Sequence, residues 1–367
     1  VLALIFTGCS SAIDNKNASD SENDAATTEA TATPEPTDTP EPTDTPEPEI
    51  EYPTEFNSGD VLSFPNDFEL TYLGTEFITE LSPPNPEDIH HYYEVEDENN
   101  IYLDVMAYIK NLKGNLLMYD DAVTFKIIYD GKYNYDGFAV AEETDGSDFK
   151  TYFAANLKPL ETDKMHFLIE VPLEVRDSGK DFEIIMNVHG DEYHYSGQEG
   201  SGEVVQMAKA KELKTDESWQ SLDAIAIDST IVDEDYGETT LKSVEFNSRV
   251  DPSNPTGYYT YYEVKGSETI YIDAVVEFKN LKADSQEAYG LFNAKVIYDN
   301  AYNYTGASVI ESDDGGTFDF VTSIDIDPLT SKIMHALIEV PLEITESGKP
   351  LVVVFEFNGN EYKYELS

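Results

Sequence analysis

A stretch of about one hundred residues occurs twice in this chain, in register and without a gap. Tyr92-Tyr93-Glu94-Val95 returns as Tyr261-Tyr262-Glu263-Val264, and Lys110-Asn111-Leu112-Lys113 returns at 279–282. Ile128-Tyr129-Asp130 and Tyr133-Asn134-Tyr135 return as Ile297-Tyr298-Asp299 and Tyr302-Asn303-Tyr304. Met165-His166 matches Met334-His335, and Ser178-Gly179-Lys180 matches Ser347-Gly348-Lys349. All these pairs share one offset, and about two in five aligned positions are identical. Weaker matches, such as Pro83 with Pro252, carry the unit back to about Asn57. The chain is a tandem duplication, so a fold assigned to one copy must suit the other.

Periodicity says what each copy folds into. Ile101, Leu103, Val105, Ala107 and Ile109 alternate with Tyr102, Asp104, Met106 and Tyr108, and the second copy alternates likewise through Ile270, Ile272, Ala274, Val276 and Phe278. A period of two marks a strand with one buried face. Met165, Phe167, Ile169 and Val171 form another such face, as do Phe182, Ile184, Met186 and Val188. Turn signals separate the runs at Asp130-Gly131, Asp145-Gly146, Ser178-Gly179 and Gly190-Asp191. Many short strands without a long helical pattern predict an all-β chain of two antiparallel β-sandwich domains. Only 203–213, between the copies, is rich enough in helix formers to suggest a short helix.

Upstream of the duplication the chain changes character. Residues 10–55 pass from Asp, Asn, Ser and Thr into a repeated Thr-Pro-Glu-Pro-Thr-Asp hexad over Pro34–Pro48. Alternate prolines remove backbone donors and favour extended polyproline II, about 3.1 Å per residue, so this acidic linker is expected to be disordered and to reach roughly 50 Å. Val1 to Phe6 are nearly all apolar and precede Thr7, Gly8 and Cys9, the single cysteine of the chain. The run is too short to span a bilayer and reads as the end of a signal peptide. With one cysteine no intramolecular disulfide can form, so each domain must stand on hydrophobic burial.

The chain carries 74 acidic and 22 basic residues, a formal net charge of −52. So negative a surface repels nucleic acid, which is excluded as a partner, and anionic lipid with it.

Two resemblances follow. Apolar residue, small residue, Gly and Cys at 6–9 resemble the lipobox of bacterial lipoproteins, which implies acylation of Cys9, removal of residues 1–8, and a place on the extracellular face of the cell membrane. Membrane contact would then run through the lipid anchor only. Each copy resembles the Ig-like, telokin-like domains of unknown function in Gram-positive surface lipoproteins. The residues that carry this are the Tyr-Tyr-Glu-Val entry, the long strand ending in Lys-Asn-Leu, the Tyr-x-Tyr-x-Gly segment and the closing Glu-Val-Pro, Ser-Gly-Lys and Gly-x-Glu-Tyr. The expected organisation is a signal-peptide remnant at 1–8, anchor cysteine and linker at 9–56, one sandwich at 57–197, an interdomain linker at 198–221 and a second sandwich at 222–367. The resemblance implies a fold and no activity.

No motif for hydrolytic, nucleotide, zinc or redox chemistry appears, so the chain reads as a non-enzyme without a cofactor. His166 and Glu170 recur as His335 and Glu339. Four residues apart on a strand they share a face about 13 Å apart, so they cannot pair, and an outward histidine beside a neighbouring strand's carboxylate is expected instead. Glu142, Asp145 and Asp148, with Glu311, Asp313 and Asp314 at the matching place, are weak calcium candidates, since calcium takes about six to eight oxygens and no EF-hand spacing is present. In each adjacent tyrosine pair, Tyr92-Tyr93 and Tyr261-Tyr262, the two rings must take opposite faces. Exposed rings there, together with Tyr102 or Tyr271, are the candidate binding residues for a surface protein or glycan. The alternative is a structural spacer or envelope-assembly component with no ligand of its own, with a hydrolase using a dispersed carboxylate site as a third and less favoured reading. A monomer is expected.

Overall fold

The computed structural model describes residues 50–150 and 156–366. Cys9 and most of the Pro-rich linker lie outside the described residues. Glu51–Ser367 forms one compact unit.

In the first copy a five-stranded sheet runs Glu55–Ser58, Asp191–Glu199, Phe182–Val188, Thr124–Tyr129, Tyr133–Asp136. A six-stranded sheet faces it in the order Phe138–Ala141, Thr162–Pro172, Asn100–Asn111, Phe68–Ile78, Val61–Phe64, Val204–Gln206. The second copy repeats the five-stranded sheet and five strands of the six-stranded one, whose sixth strand, Phe318–Phe320, lies at the opposite edge. Its five-stranded sheet holds Leu351–Phe357 between Asn360–Leu366 and Asn293–Tyr298, and its six-stranded sheet holds Thr269–Asn280 between Gly237–Asn247 and Ser331–Pro341. The predicted β-sandwiches are therefore present, each with its own core. Phe125, Ile127, Met165, Phe167, Ile169 and Met186 meet in the first, and Val276, Val296, Met334, Ile338, Val353 and Phe355 in the second. These are the inward residues of the alternating runs, removed from water by the facing sheet.

Two details differ from expectation. Val204–Gln206 is a strand and not part of a helix: it pairs parallel with Val61–Ser63, and its β-branched valines suit that edge. Glu55–Ser58, whose first two residues the sequence placed in the linker, is a strand parallel to Asp191–Glu199. Both give partners to sheet edges that would otherwise expose unpaired backbone groups.

Each copy also switches sheets at a glycine. Tyr133–Asp136 pairs in one sheet and Phe138–Ala141 in the other, with Gly137 between them. A Cβ there would stand 2.7 Å from the Leu168 carbonyl, and at the matching Gly306 1.9 Å from that of Leu337, so only glycine fits.

The two sandwiches touch directly. Lys158 donates to Glu339 at 2.8 Å, and Lys110 to Glu343 at 3.3 Å. The buried Tyr304 hydroxyl donates to the Pro159 carbonyl at 3.0 Å, Asn303 N donates to the Gly114 carbonyl at 2.8 Å, and Leu160 packs on the second core. The connecting segment is tied down as well: Met207 is buried in the first core, Lys211 N donates to the Pro65 carbonyl, and Asp216 N to the Asn300 carbonyl.

Candidate functional site

The two long strands of the six-stranded sheets carry a polar cluster that sequence reasoning saw only in part. His166 lies opposite Met106 on one neighbouring strand and opposite Val140 on the other. Its diagonal neighbours on the same face are Asp104 and Glu142, near enough for long side chains to meet. Nδ1 stands 2.7 Å from Asp104 and Nε2 2.8 Å from Glu142. The second copy repeats this with His335, 2.9 Å from Asp273 and 3.3 Å from Glu311. The expectation of a neighbouring strand's carboxylate was right, but both rings are buried rather than outward. Glu170 is apart from His166 and accepts from Asn100 at 2.7 Å.

Asp104 and Asp273 were missed. Their signal was available: an acidic residue at the same place in both copies of an otherwise apolar strand.

Burial disfavours a charged imidazole, but hydrogen bonds to Asp273 and Glu311 outweigh it and push His335 up to about 9. His166 is raised in the same way, against burial, by Asp104 and Glu142. Burial opposes ionisation of Glu142 and Glu311 too, yet both are held below the ordinary carboxylate range. His166 and Lys164 do this for Glu142, and His335 and Ser253 for Glu311. The His335 ring is thus protonated at neutral pH, and His166 shifts in the same direction. With both ring nitrogens engaged and the ring enclosed, neither histidine has a nitrogen free for a substrate.

What the clusters do hold is a hairpin, and through it a loop. Glu142 and Glu311 pair across their hairpins with Phe149 and Phe318. In the first copy Asn85 N donates to the Gly146 carbonyl at 2.9 Å, and His91 N to Asp148 at 2.7 Å. In the second, Asn254 N donates to Gly315 at 2.8 Å and Thr260 N to Thr317 Oγ1 at 3.0 Å. Glu311 also accepts from the amide and hydroxyl of Ser253, at 2.8 and 2.7 Å. The loops so fixed present large side chains to solvent at matching positions. Ile89 is 90% exposed and Tyr258 105%, while Tyr92 is 56% and Tyr261 46% exposed. The Arg249 guanidinium lies 3.8 Å from the centre of the Tyr261 ring.

The other candidate tyrosines are elsewhere. Tyr102 is only 7% exposed and packs with Leu81, Val140, Phe149, Leu168 and Tyr93. Tyr262 and Tyr271 pack likewise against Val250, Val309, Phe318 and Leu337. Hairpin and loop form a small second core over the outer face of the sheet, so Tyr93, Tyr102, Tyr262 and Tyr271 support the two loops from beneath. Tyr102 is therefore removed as an exposed ring.

The calcium candidates turn to protein partners. Glu142 and Glu311 belong to the histidine clusters, Asp145 accepts from Ser147 N at 2.9 Å, and Asp148 accepts from His91. Asp313 pairs with Lys332, and Asp314 accepts from Ser312 Oγ at 2.8 Å and Gly316 N at 2.9 Å. Among the described residues no group of three or more His, Cys, Asp or Glu side chains is arranged to hold a metal ion.

The strand order defines the class: a pair of all-β sandwich domains. No family model and no curated protein matches the chain. Among solved structures, an uncharacterized β-sandwich protein from Clostridium difficile 630 aligns at 28% identity, over 44% of this chain and 100% of its own, with a TM-score of 0.37. A conserved hypothetical protein from Bacillus anthracis aligns at 12% identity, over 40% of this chain and 97% of its own, with a TM-score of 0.26. At these scores neither likeness bears on activity.

Proposed function

We propose that this chain is an extracellular, lipid-anchored surface protein whose paired sandwiches bind another macromolecule through the loops at 82–92 and 251–261. The observation that carries the reading is the matched exposure of Ile89 with Tyr258 and of Tyr92 with Tyr261. A large apolar side chain kept in water at one site is unremarkable, but the same two positions in both copies make a repeated contact surface. The polar network beneath them fixes each loop, so little ordering entropy is lost on contact. Two weak sites on one body raise effective concentration without new contacts, which accounts for the duplication.

A non-enzymatic role suits histidine clusters with no free ring atom. The spacer reading draws support from the domain contact, since Lys158–Glu339 and Tyr304–Pro159 hold the pair together whether or not a ligand exists. Binding of Glu51–Ser367 to a panel of envelope polymers, host glycans and surface proteins separates the two. Specific retention of any one supports the binding role. A folded protein that retains none leaves the spacer.

A further inference from the structure

In the first copy alone, four residues converge at the end of the core. Asp163 begins the core-facing row that continues through Met165 and Phe167, and its side chain is 2% exposed. Lys150, which ends the hairpin by donating its backbone N–H to the Ala141 carbonyl, turns inward, and its Nζ stands 2.5 Å from Asp163 Oδ2. The buried Tyr119 hydroxyl donates to the same oxygen. Glu161 closes the group, with Oε1 4.0 Å from Lys150 Nζ. Burial raises the pKa of Glu161, against the pull of Lys150 and with the push of Asp163. The matching positions of the second copy are Ala288, Asp319, Thr330 and Lys332, and Lys332 pairs with Asp313 instead.

We propose that Lys150 and Asp163 condense into an intramolecular amide that clamps the hairpin to the central strand. The ion pair is the reactant. Burial favours the neutral amine, although the Asp163 and Glu161 carboxylates hold Lys150 above its ordinary value, and the reaction begins when a proton passes within the pair from the ammonium to the carboxylate, giving an amine and an acid. Lys150 Nζ then attacks Asp163 Cγ and the new N–C bond forms. Glu161 takes the proton released from nitrogen and delivers it to the departing hydroxyl, the C–O bond breaks, and water leaves. Nothing is oxidised or reduced, and no co-reactant is needed. Tyr119 donates to the carboxyl oxygen as charge develops there and screens it from solvent. In a chain without a disulfide, such a bond would supply the covalent constraint that a surface protein otherwise lacks.

The test is a tryptic map of the full chain. Trypsin does not cut after an acylated lysine, so an amide predicts one peptide spanning 133–164, uncut after Lys150 and lighter than its sequence by one water, about 18 Da. Dehydration at Asp145-Gly146 gives the same mass loss but leaves Lys150 open to cleavage, so the two are distinguishable. Asp163→Ala should restore the cut. Glu161→Gln should slow formation, so that cut and uncut peptides coexist in freshly made protein. Complete cleavage after Lys150 in the wild type, with both peptides at their sequence masses, overturns the proposal. That result needs no variant to fold.

Discussion

His335 stands 2.9 Å from Asp273 through Nδ1, and His166 stands in the same relation to Asp104 at 2.7 Å. In each copy the pair lies diagonally across two central strands and is completed by a glutamate from the third. A buried charge with its partners in place contributes modestly, while removal of one partner strands the others.

Replacing His335 with glutamine leaves Asp273 and Glu311 facing each other, and should cost about 3–5 kcal/mol in the second copy. Trp219 is the one tryptophan and packs against Ile297, Val352 and Val354, so its fluorescence reports unfolding of that copy. The urea midpoint by fluorescence should fall for His335→Gln and stay put for His166→Gln. Equal shifts in both variants would mean that the two sandwiches unfold as one.

The pH dependence has a definite sign. His335 is raised from 6.5 to about 9, so its contribution is full below pH 6.5 and is lost as pH climbs through 9. Glu311 is depressed below 4.5, so its contribution is present above that pH and is lost as the medium acidifies further. The stability gap between wild type and His335→Gln should be widest between pH 4.5 and 6.5 and should narrow toward pH 9. A gap that stays constant from pH 5 to pH 10 would rule out a charged ring.

The domain contact includes two positions at which the copies differ, Gly114 and Lys158. A Cβ at Gly114 would stand 2.1 Å from the Ala301 carbonyl, and the matching residue of the second copy is Ala283. Lys158, which meets Glu339, is matched by Asp327, and Glu339 by Glu170. Leu160 packs on the second core, whereas its counterpart Leu329 is 71% exposed. Repeating the contact head to tail between molecules would set Asp327 against Glu170 and a methyl group against backbone. Light scattering should therefore give a monomer. Gly114→Ala should loosen the pair by about 1–3 kcal/mol, read as faster proteolysis of the segment at 207–217 while Trp219 fluorescence is unchanged. Resistance equal to wild type would mean that the connecting segment is held by its own contacts alone.

The proposed lipid anchor has its own test. Cys9→Ser should release the protein into the medium or leave an uncleaved precursor. Membrane association equal to that of the wild type would contradict acylation at Cys9.

The strands were legible because alternation such as Ile101-x-Leu103-x-Val105 reports a buried face directly, and the duplication doubled the signal. What covers the other face was not legible. Tyr102 alternates outward from the main core, yet the chain's own hairpin and loop fold over it, a tertiary event that leaves no period. Asp104 was passed over for the same reason: its partners lie on other strands, and the diagonals that join them exist only once the register is set. Val204–Gln206 read as helix because composition weighed Glu203 and Lys209 equally with the valines, while the waiting edge at Val61 decided the outcome.

The most direct test of the central claim is retention on the envelope or host polymer that the panel identifies, comparing wild type with Tyr92→Ala, Tyr261→Ala and the double variant. These exposed rings contribute little to folding, so thermal midpoints should be unchanged. The account predicts weaker retention for each single variant and near-complete loss for the double, as expected of two sites acting together. Retention of the double variant equal to wild type would contradict it and move the binding surface away from these loops.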